Sequence, residues 1–172
     1  MSRVYRSMLL MSLASVGLGC SPTEDPMIAQ HRQKIILASE PDQAVSLSQA
    51  KSMLTEESDI VLLGRVGSGQ LDPFEKGSAS FVLSEALADD HGEDDGHDAS
   101  DCPFCKRRAA EAPIATVELH DGNGKPIAVS ADKLLGLTKG QTVVVQGRGI
   151  YLADVDTLQI KAGKLFIRLP KQ

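Results

Sequence analysis

Four side chains that can bind a metal ion lie within one stretch of fifteen residues: His91, His97, Cys102 and Cys105. Two imidazoles and two thiolates form a common ligand set of tetrahedral Zn²⁺, and soft thiolates also suit Cu(I). The two cysteines make a CxxC pair, and a spacing of two residues lets both sulfurs face one ion. The histidines precede the cysteines, an order that standard zinc fingers do not have. We therefore predict a noncatalytic metal-binding segment, with zinc as the first choice and copper as the second.

The four candidate ligands belong to a polar insertion, residues 88–112, whose first half is strongly acidic. Residues 89–101 read DDHGEDDGHDASD, with seven acidic side chains and two glycines. Neighbouring carboxylates can orient an imidazole and favour a cation, and glycine allows the tight turns that a chelating loop needs. The alternative is a solvated acidic loop with incidental histidines, because charge runs of this kind usually lie in solvent. His120 is a substitute ligand by residue type, but its strand context favours a surface position.

The stretch Cys102-Pro103-Phe104-Cys105 resembles the active-site motif of glutaredoxins. That resemblance implies Cys102 as the nucleophile at a helix start and Cys105 as the resolving thiol, with Pro103 shaping the turn. The surroundings depart from that family: no βαβ unit precedes the motif, no cis-proline loop is recognisable after it, and the preceding acids would raise a thiol pKa. An envelope thiol–disulfide protein is thus the alternative function, and a plain structural disulfide is a further one.

The beginning of the chain has the order of an export signal. Arg3 and Arg6 provide positive charge, residues 8–16 are mostly apolar, and small residues then lead to Cys20. The apolar stretch is shorter than the roughly 20 residues that a membrane-spanning helix needs. We therefore expect an exported protein of a bacterial cell envelope, on its periplasmic face.

The end of this signal, Val-Gly-Leu-Gly-Cys at residues 16–20, resembles a bacterial lipobox. The resemblance implies removal of residues 1–19 and lipidation of Cys20, which would attach the protein to a membrane. The leucine stands two residues before the cysteine rather than three, so ordinary cleavage nearer Pro26 stays open. Residues 20–33 begin with a polar, proline-containing segment and are expected to form a lipidated tether.

The remaining chain, residues 34–172, has the pattern of one mainly β domain with one or two short helices. Helices are predicted from Ser46 and from Ser130, where a capping residue precedes apolar residues at helical spacing. Residues 114–120 alternate between two faces, and glycines at 147 and 149 interrupt a long strand. The predicted strands are 60–66, 79–87, 114–120, 142–152, 157–160 and 164–169.

The order of three strands, a helix and two or three further strands resembles the OB-fold, a small Greek-key barrel. The resemblance covers residues 59–169 and is one of topology, with the insertion between the second and third strands. Together with the CPFC-bearing insertion, the layout also resembles a group of exported proteins from planctomycete bacteria. That resemblance implies export and the same fold, without implying an activity.

Composition argues against binding to nucleic acid. The formal net charge is −5, Trp is absent and aromatic residues make up 3% of the chain, so the core must be aliphatic. Arg65, Lys76, Arg148 and Lys161 could lie on one face of such a barrel, but nucleic acid also requires interleaved aromatic side chains for stacking. No catalytic motif stands out besides the CxxC pair. A scaffold lipoprotein that binds an unknown protein partner, with the insertion as an interaction loop, is the third alternative.

Overall fold

The computed structural model describes residues 25–67, 69, 71–86, 103, 107 and 113–169. Within these residues the fold is mainly β, as predicted: five strands form one mixed sheet that closes on itself in a ring, with three short helices beside it. The strands are β1 (Ser58–Val66), β2 (Ser80–Glu85), β3 (Ile114–Leu119), β4 (Thr142–Leu152) and β5 (Thr157–Ile167). The helices are α1 (Pro26–Ile35), α2 (Leu47–Met53) and α3 (Ala131–Leu135), and a 3-10 turn (Ala153–Val155) follows β4.

The ring has the strand order β1-β2-β3-β5-β4, and β4 pairs back onto β1. The β3–β5 pair is parallel, and the other four pairs are antiparallel. A parallel pair requires a long connection between its strands, and here the chain passes through α3 and β4 on its way from β3 to β5. The ring therefore brings the third and fifth strands together, although they are distant in sequence.

The interior of the closed sheet is filled by aliphatic side chains and one aromatic side chain. In β3, Ala115, Val117 and Leu119 are fully buried while the intervening residues are half-buried, which confirms the predicted alternation. Phe81 is the largest fully buried side chain and the one aromatic residue among the buried core residues described. The near absence of aromatic residues thus leaves a core filled by branched aliphatic side chains.

Helix α2 begins where the sequence predicts and packs closely on the ring. The Ser46 hydroxyl accepts a hydrogen bond from the Gln49 amide, and the Gln49 side chain accepts one from the Ser46 amide, which completes a capping box. Gly64 lies beneath the helix: a Cβ there would come within 3.0 Å of the Leu83 Cβ and 3.2 Å of the Leu47 Cδ1. Glycine at this position lets α2 approach β1 and β2 closely.

Helix α1 is a difference from the sequence expectation of one or two short helices, because three helices have bounds within the described residues, apart from the helical Pro103 and Arg107 of the insertion. It begins at Pro26, inside the segment 20–33 that we expected to be a tether, and is capped by the Asp25 carboxylate. Ile35 is buried, and the Arg32 Nε donates to the Leu134 carbonyl in α3 at 2.8 Å. Helical structure therefore starts before residue 34, where we expected the domain to begin.

The last two predicted strands, 157–160 and 164–169, form one continuous strand, β5. The pairing of β5 with β4 shifts register between Gln146, opposite Lys164, and Gly147, opposite Ala162. Gly163 is thus the additional residue of a β-bulge, which bends a strand without ending it. The prediction of two strands was wrong because a glycine at a β-bulge and a glycine at a strand break look alike in the sequence.

Candidate functional site

The two strand ends that flank the insertion lie side by side in the ring. β2 ends at Glu85 and β3 begins at Ile114, and Ser84 faces Ile114 as the last pair between these strands. The Glu85 carboxylate also accepts hydrogen bonds from the Ser48 amide at 2.8 Å and the Ser48 hydroxyl at 3.0 Å. The start of α2 therefore fixes the end of β2, and both attachment points of residues 88–112 are held by regular structure.

The predicted metal ligands His91, His97, Cys102 and Cys105 lie outside the described residues, as does Cys20, the predicted lipidation site. Inside the insertion, Pro103 and Arg107 are described, and both are helical and exposed. In the part of the chain that the structure describes, no group of three or more His, Cys, Asp or Glu side chains is arranged to hold a metal ion.

The substitute ligand His120 has both ring nitrogens engaged within its own turn. Nδ1 lies 3.0 Å from the Gly124 carbonyl oxygen, and Nε2 lies 2.7 Å from the Glu118 Oε2. Both partners are acceptors, so a ring that carries a proton on each nitrogen donates to both. Metal binding at His120 would break one of these bonds. The His120 side chain thus links the end of β3 to the turn that follows it, and it lies on the half-buried face of the strand, as the alternation predicted.

A second candidate site is an open depression of about 670 Å³ on the outside of the ring, where β1, β4 and β5 lie side by side. We call it the basic groove. Its lining includes three cationic side chains, Arg148, Lys161 and Lys164, and one acidic side chain, Asp59. The side chains of all four residues are exposed. Although the net charge of the chain is negative, three positively charged side chains therefore lie in one concave surface.

Strand register explains how these charges come together. Asp59 on β1 is opposite Arg148 on β4, and Arg148 is opposite Lys161 on β5. Side chains directly opposite one another on the same face of a sheet lie about 5 Å apart at Cβ. Lys164 joins them from the far side of the bulge. The groove is thus built on regular strands, which position its cations more firmly than a loop would.

Internal partners neutralise this charge only in part. The Arg148 Nη2 donates to the Glu57 carbonyl at 3.3 Å, and the Lys164 Nζ donates to the Lys34 carbonyl at 2.6 Å. These partners are backbone oxygens that carry no formal charge. Only Lys161 has an ionic partner among the bonds described here, the Glu57 carboxylate at 3.3 Å. Most donors of the arginine and both lysines therefore face solvent.

Sequence reasoning found two of these cations and missed the third. The sequence offered four candidates for a shared face, Arg65, Lys76, Arg148 and Lys161, and the register brings together Arg148 and Lys161. Arg65 lies toward the other end of β1, where its Nε donates to the Gly140 carbonyl at 2.9 Å. Lys76 lies in the connection between β1 and β2. Lys164 was missed because the bulge resets the alternation of β5.

A further polar cluster fastens α2 to the turn between β4 and β5. The pKa of Asp156 is held below its ordinary value because its carboxylate accepts a hydrogen bond from the Lys51 Nζ at 2.5 Å and, with a smaller effect, one from the Tyr151 hydroxyl at 2.8 Å. The same contact with Asp156 raises the pKa of Lys51, whose Nζ also lies 5.3 Å from the Tyr151 ring centroid. This arrangement is a surface contact between elements, with an ordinary structural role.

No protein-family model matches the chain, and no curated protein matches it. Among the described residues, none of the helices is long and apolar enough to span a membrane.

Proposed function

We propose that this protein is an exported, lipid-anchored component of a bacterial cell envelope, in which residues 88–112 bind zinc or copper without catalysing a reaction. Cys102 and Cys105 would supply thiolates, and His91 and His97 would complete a tetrahedral shell. The observation that carries the proposal is the pairing of Ser84 with Ile114, which brings the two strand ends that flank this Cys/His segment side by side.

The finer description of the fold is also a proposal: the ring is an OB-like Greek-key barrel. The order β1-β2-β3-β5-β4, the parallel β3–β5 pair and the position of α3 between β3 and β4 support it. In this arrangement the insertion occupies the connection between the second and third strands.

The paired strand ends favour metal binding for an energetic reason. Closing a flexible loop of this length costs about 3 kcal/mol in chain entropy. The β2–β3 pairing already holds the loop ends about 5 Å apart, so metal binding would need to order only the interior of the insertion. Loss of the metal should therefore loosen the insertion and leave the ring folded.

The first test is the metal content of protein beginning at Ser21, purified without oxidant or chelator. We expect near-stoichiometric zinc or copper in the parent protein, and none in Cys102→Ser/Cys105→Ser or His91→Ala/His97→Ala. The matched control is His31→Ala, which removes one of the histidines that lie outside the insertion and should keep the metal. Absence of metal from the parent protein, or its retention in the cysteine variant, would overturn the proposed site.

The alternative is a thiol–disulfide protein that uses Cys102 and Cys105, and the helical backbone at Pro103 and Arg107 favours it. Proline is common in the first turn of a helix, and a thiol at a helix start is a better nucleophile near neutral pH. In this case His91→Ala/His97→Ala should leave thiol reactivity unchanged, and the purified protein should exchange disulfides with glutathione. A chain with neither metal nor exchange activity would correspond to the scaffold alternative.

The lipid anchor is tested separately. The full chain is expressed in a bacterium with an outer membrane, and its amino-terminal peptide is analysed by mass spectrometry. Lipidation predicts a diacylglyceryl-modified Cys20 as the first residue and loss of membrane association in Cys20→Ala. An unmodified terminus nearer Pro26 would instead assign the protein to the soluble periplasm.

A further inference from the structure

The basic groove combines an apolar side with a cationic side. Val61 lies on the outer face of β1, half-buried, and Val45 pairs beside this strand through hydrogen bonds to Val61 and Leu63. Met53, the last residue of α2, lines the same depression and is 65% exposed. A ligand that fills the groove would therefore meet apolar surface next to positive charge.

Two glycines at the bulge keep the groove open. Gly163 lies between Lys161 and Lys164, and a Cβ built on it would have no atom within 4 Å. Gly147 faces this point from β4, where a Cβ would come within 2.1 Å of the Lys161 carbonyl oxygen. Since neither position carries a side chain, the strands approach closely and the space between the two lysines stays free.

The chemistry of the lining limits the class of ligand. None of the lining residues is aromatic, so the groove lacks the stacking surface by which single-stranded nucleic acids are held. A flat layer of lipid headgroups would contact the exposed cations but has no side chain of its own to fill the depression beside Val61. A chain that carries carboxylates and a small number of apolar side chains fits both sides.

We propose that the basic groove binds an acidic, extended segment of a partner protein. Carboxylates of this segment bind Arg148, Lys161 and Lys164, and an apolar side chain of the segment lies against Val61 and Met53. Arginine suits this role because its planar guanidinium can bind a carboxylate through two parallel hydrogen bonds. The proposal uses only residues of the ring and α2, and it is independent of metal binding by the insertion.

The test uses fluorescence anisotropy with the chain beginning at Ser21 and a labelled, acetylated peptide that contains glutamates around two central leucines. We expect saturable binding at low salt that weakens several-fold when the salt concentration approaches 0.5 M. Arg148→Gln/Lys161→Gln should weaken binding about tenfold, since two charge-assisted contacts are lost. A peptide with glutamines in place of the glutamates should bind at least about tenfold more weakly.

Two control variants separate the groove from net charge. Lys76→Gln/Lys133→Gln removes the same charge at exposed positions outside the groove and should change the affinity less than twofold. Arg148→Lys/Lys161→Arg keeps both positive charges and should retain most of the affinity of the parent protein for the peptide. Circular dichroism of each variant establishes that the ring is folded; the substituted side chains are exposed, so we expect no loss of structure.

Four results would overturn the proposal. The first is an absence of saturable peptide binding, and the second is equal weakening by the groove variant and by Lys76→Gln/Lys133→Gln. The third is tighter binding to phosphatidylglycerol vesicles than to the peptide, with dependence on Arg148 and Lys161, which would assign the groove to an anionic lipid surface. The fourth is an Arg148-dependent dimer in sedimentation, which would assign it to a second copy of this chain.

Discussion

Replacement of Gly147 by alanine should destabilise the ring more than any other single methyl addition at the bulge. The new Cβ would lie 2.1 Å from the Lys161 carbonyl oxygen, 2.7 Å from the Ala162 Cα and 2.9 Å from the Lys161 carbonyl carbon. All three atoms belong to the backbone, so no side-chain rotation can relieve the contact. Gly147 does not have a positive φ, which means that the effect of alanine here is steric and does not come from backbone strain.

The size of the effect follows from the separation that β4 and β5 must undergo. Ordinary Cβ contacts begin at 3.4 Å, so the two strands would have to move apart by roughly 1 Å at this point. Such a movement weakens about two ladder hydrogen bonds, at about 1 kcal/mol each, and adds packing strain of about 1 kcal/mol or more. We therefore expect Gly147→Ala to lower the free energy of unfolding by about 3 kcal/mol. For a domain of this size, that corresponds to a decrease in Tm of about 10 °C.

Gly163→Ala is the matched control, because it adds the same methyl group one residue from Ala162 and meets nothing within 4 Å. We expect its free energy of unfolding to stay within about 1 kcal/mol of the parent value or to rise slightly, since alanine restricts the unfolded chain. Urea unfolding followed by circular dichroism measures both variants. Equal losses for the two alanines would refute the steric reasoning and indicate a general effect of replacing glycine in β-structure.

Three further predictions concern the contacts that hold the helices and the core. Because the pKa of Asp156 is lowered in the folded chain, the stability that its carboxylate contributes is present above the ordinary carboxylate pKa of about 4 and is lost as the pH falls through the lowered pKa. The difference in urea midpoint between the parent and Asp156→Asn should therefore shrink from pH 6 to pH 3, and a constant difference would contradict the contact with Lys51. Phe81→Ala should lower the free energy of unfolding by about 3 to 5 kcal/mol in the same titration, and a loss below about 1 kcal/mol would mean that the side chain is not enclosed as described. Ser46→Ala should cost about 1 kcal/mol by loss of the capping box, whereas Ser39→Ala, at an exposed position, should be near neutral; equal midpoints for the two variants would argue against the cap.

Strand positions were predictable where alternation or a valine-rich run coincided with turn residues at both ends. The predicted ranges 114–120 and 142–152 agree with β3 and β4 within a residue. The helix start at Ser46 was equally visible, because a capping serine precedes apolar residues at helical spacing, and the structure adds Gln49 as the partner of the cap. In these segments, local sequence and tertiary packing favour the same structure.

The remaining differences come from contacts between residues that are far apart in the chain. Helix α1 buries one of its residues, Ile35, and part of its support is the contact of Arg32 with the Leu134 carbonyl, 102 residues away. The continuity of β5 depends on pairing with β4 on both sides of Gly163. Neither contact leaves a periodic pattern in the local sequence, so neither could be read from it.

The basic groove shows the same limit at the level of a site. Alternation counted from Lys161 places residue 163 outside and Lys164 inside the ring, and on that count Lys164 could not join Arg148. The bulge at Gly163 shifts the alternation by one residue, so Lys164 becomes exposed and Leu165 becomes buried. The third cation is therefore a consequence of strand pairing, and sequence alone predicted only the first two.

The root of the insertion and the basic groove lie at different levels along the paired strands β3 and β5. The root of the insertion is at Ile114, opposite Thr157, whereas the groove begins near Lys161, opposite Glu118. Four residues of strand separate the two levels by about 13 Å. The intervening residues of β3 and β5 are paired throughout, and their inward side chains, Val117, Leu158 and Ile160, are buried in the core. The core and the strand pairing already fix these strands. A metal that orders the insertion therefore does not change the arrangement of the groove, because the groove has no second arrangement that the metal could favour. The two proposed activities should therefore be independent, so that a chelator removes the metal and leaves the affinity for the acidic peptide unchanged.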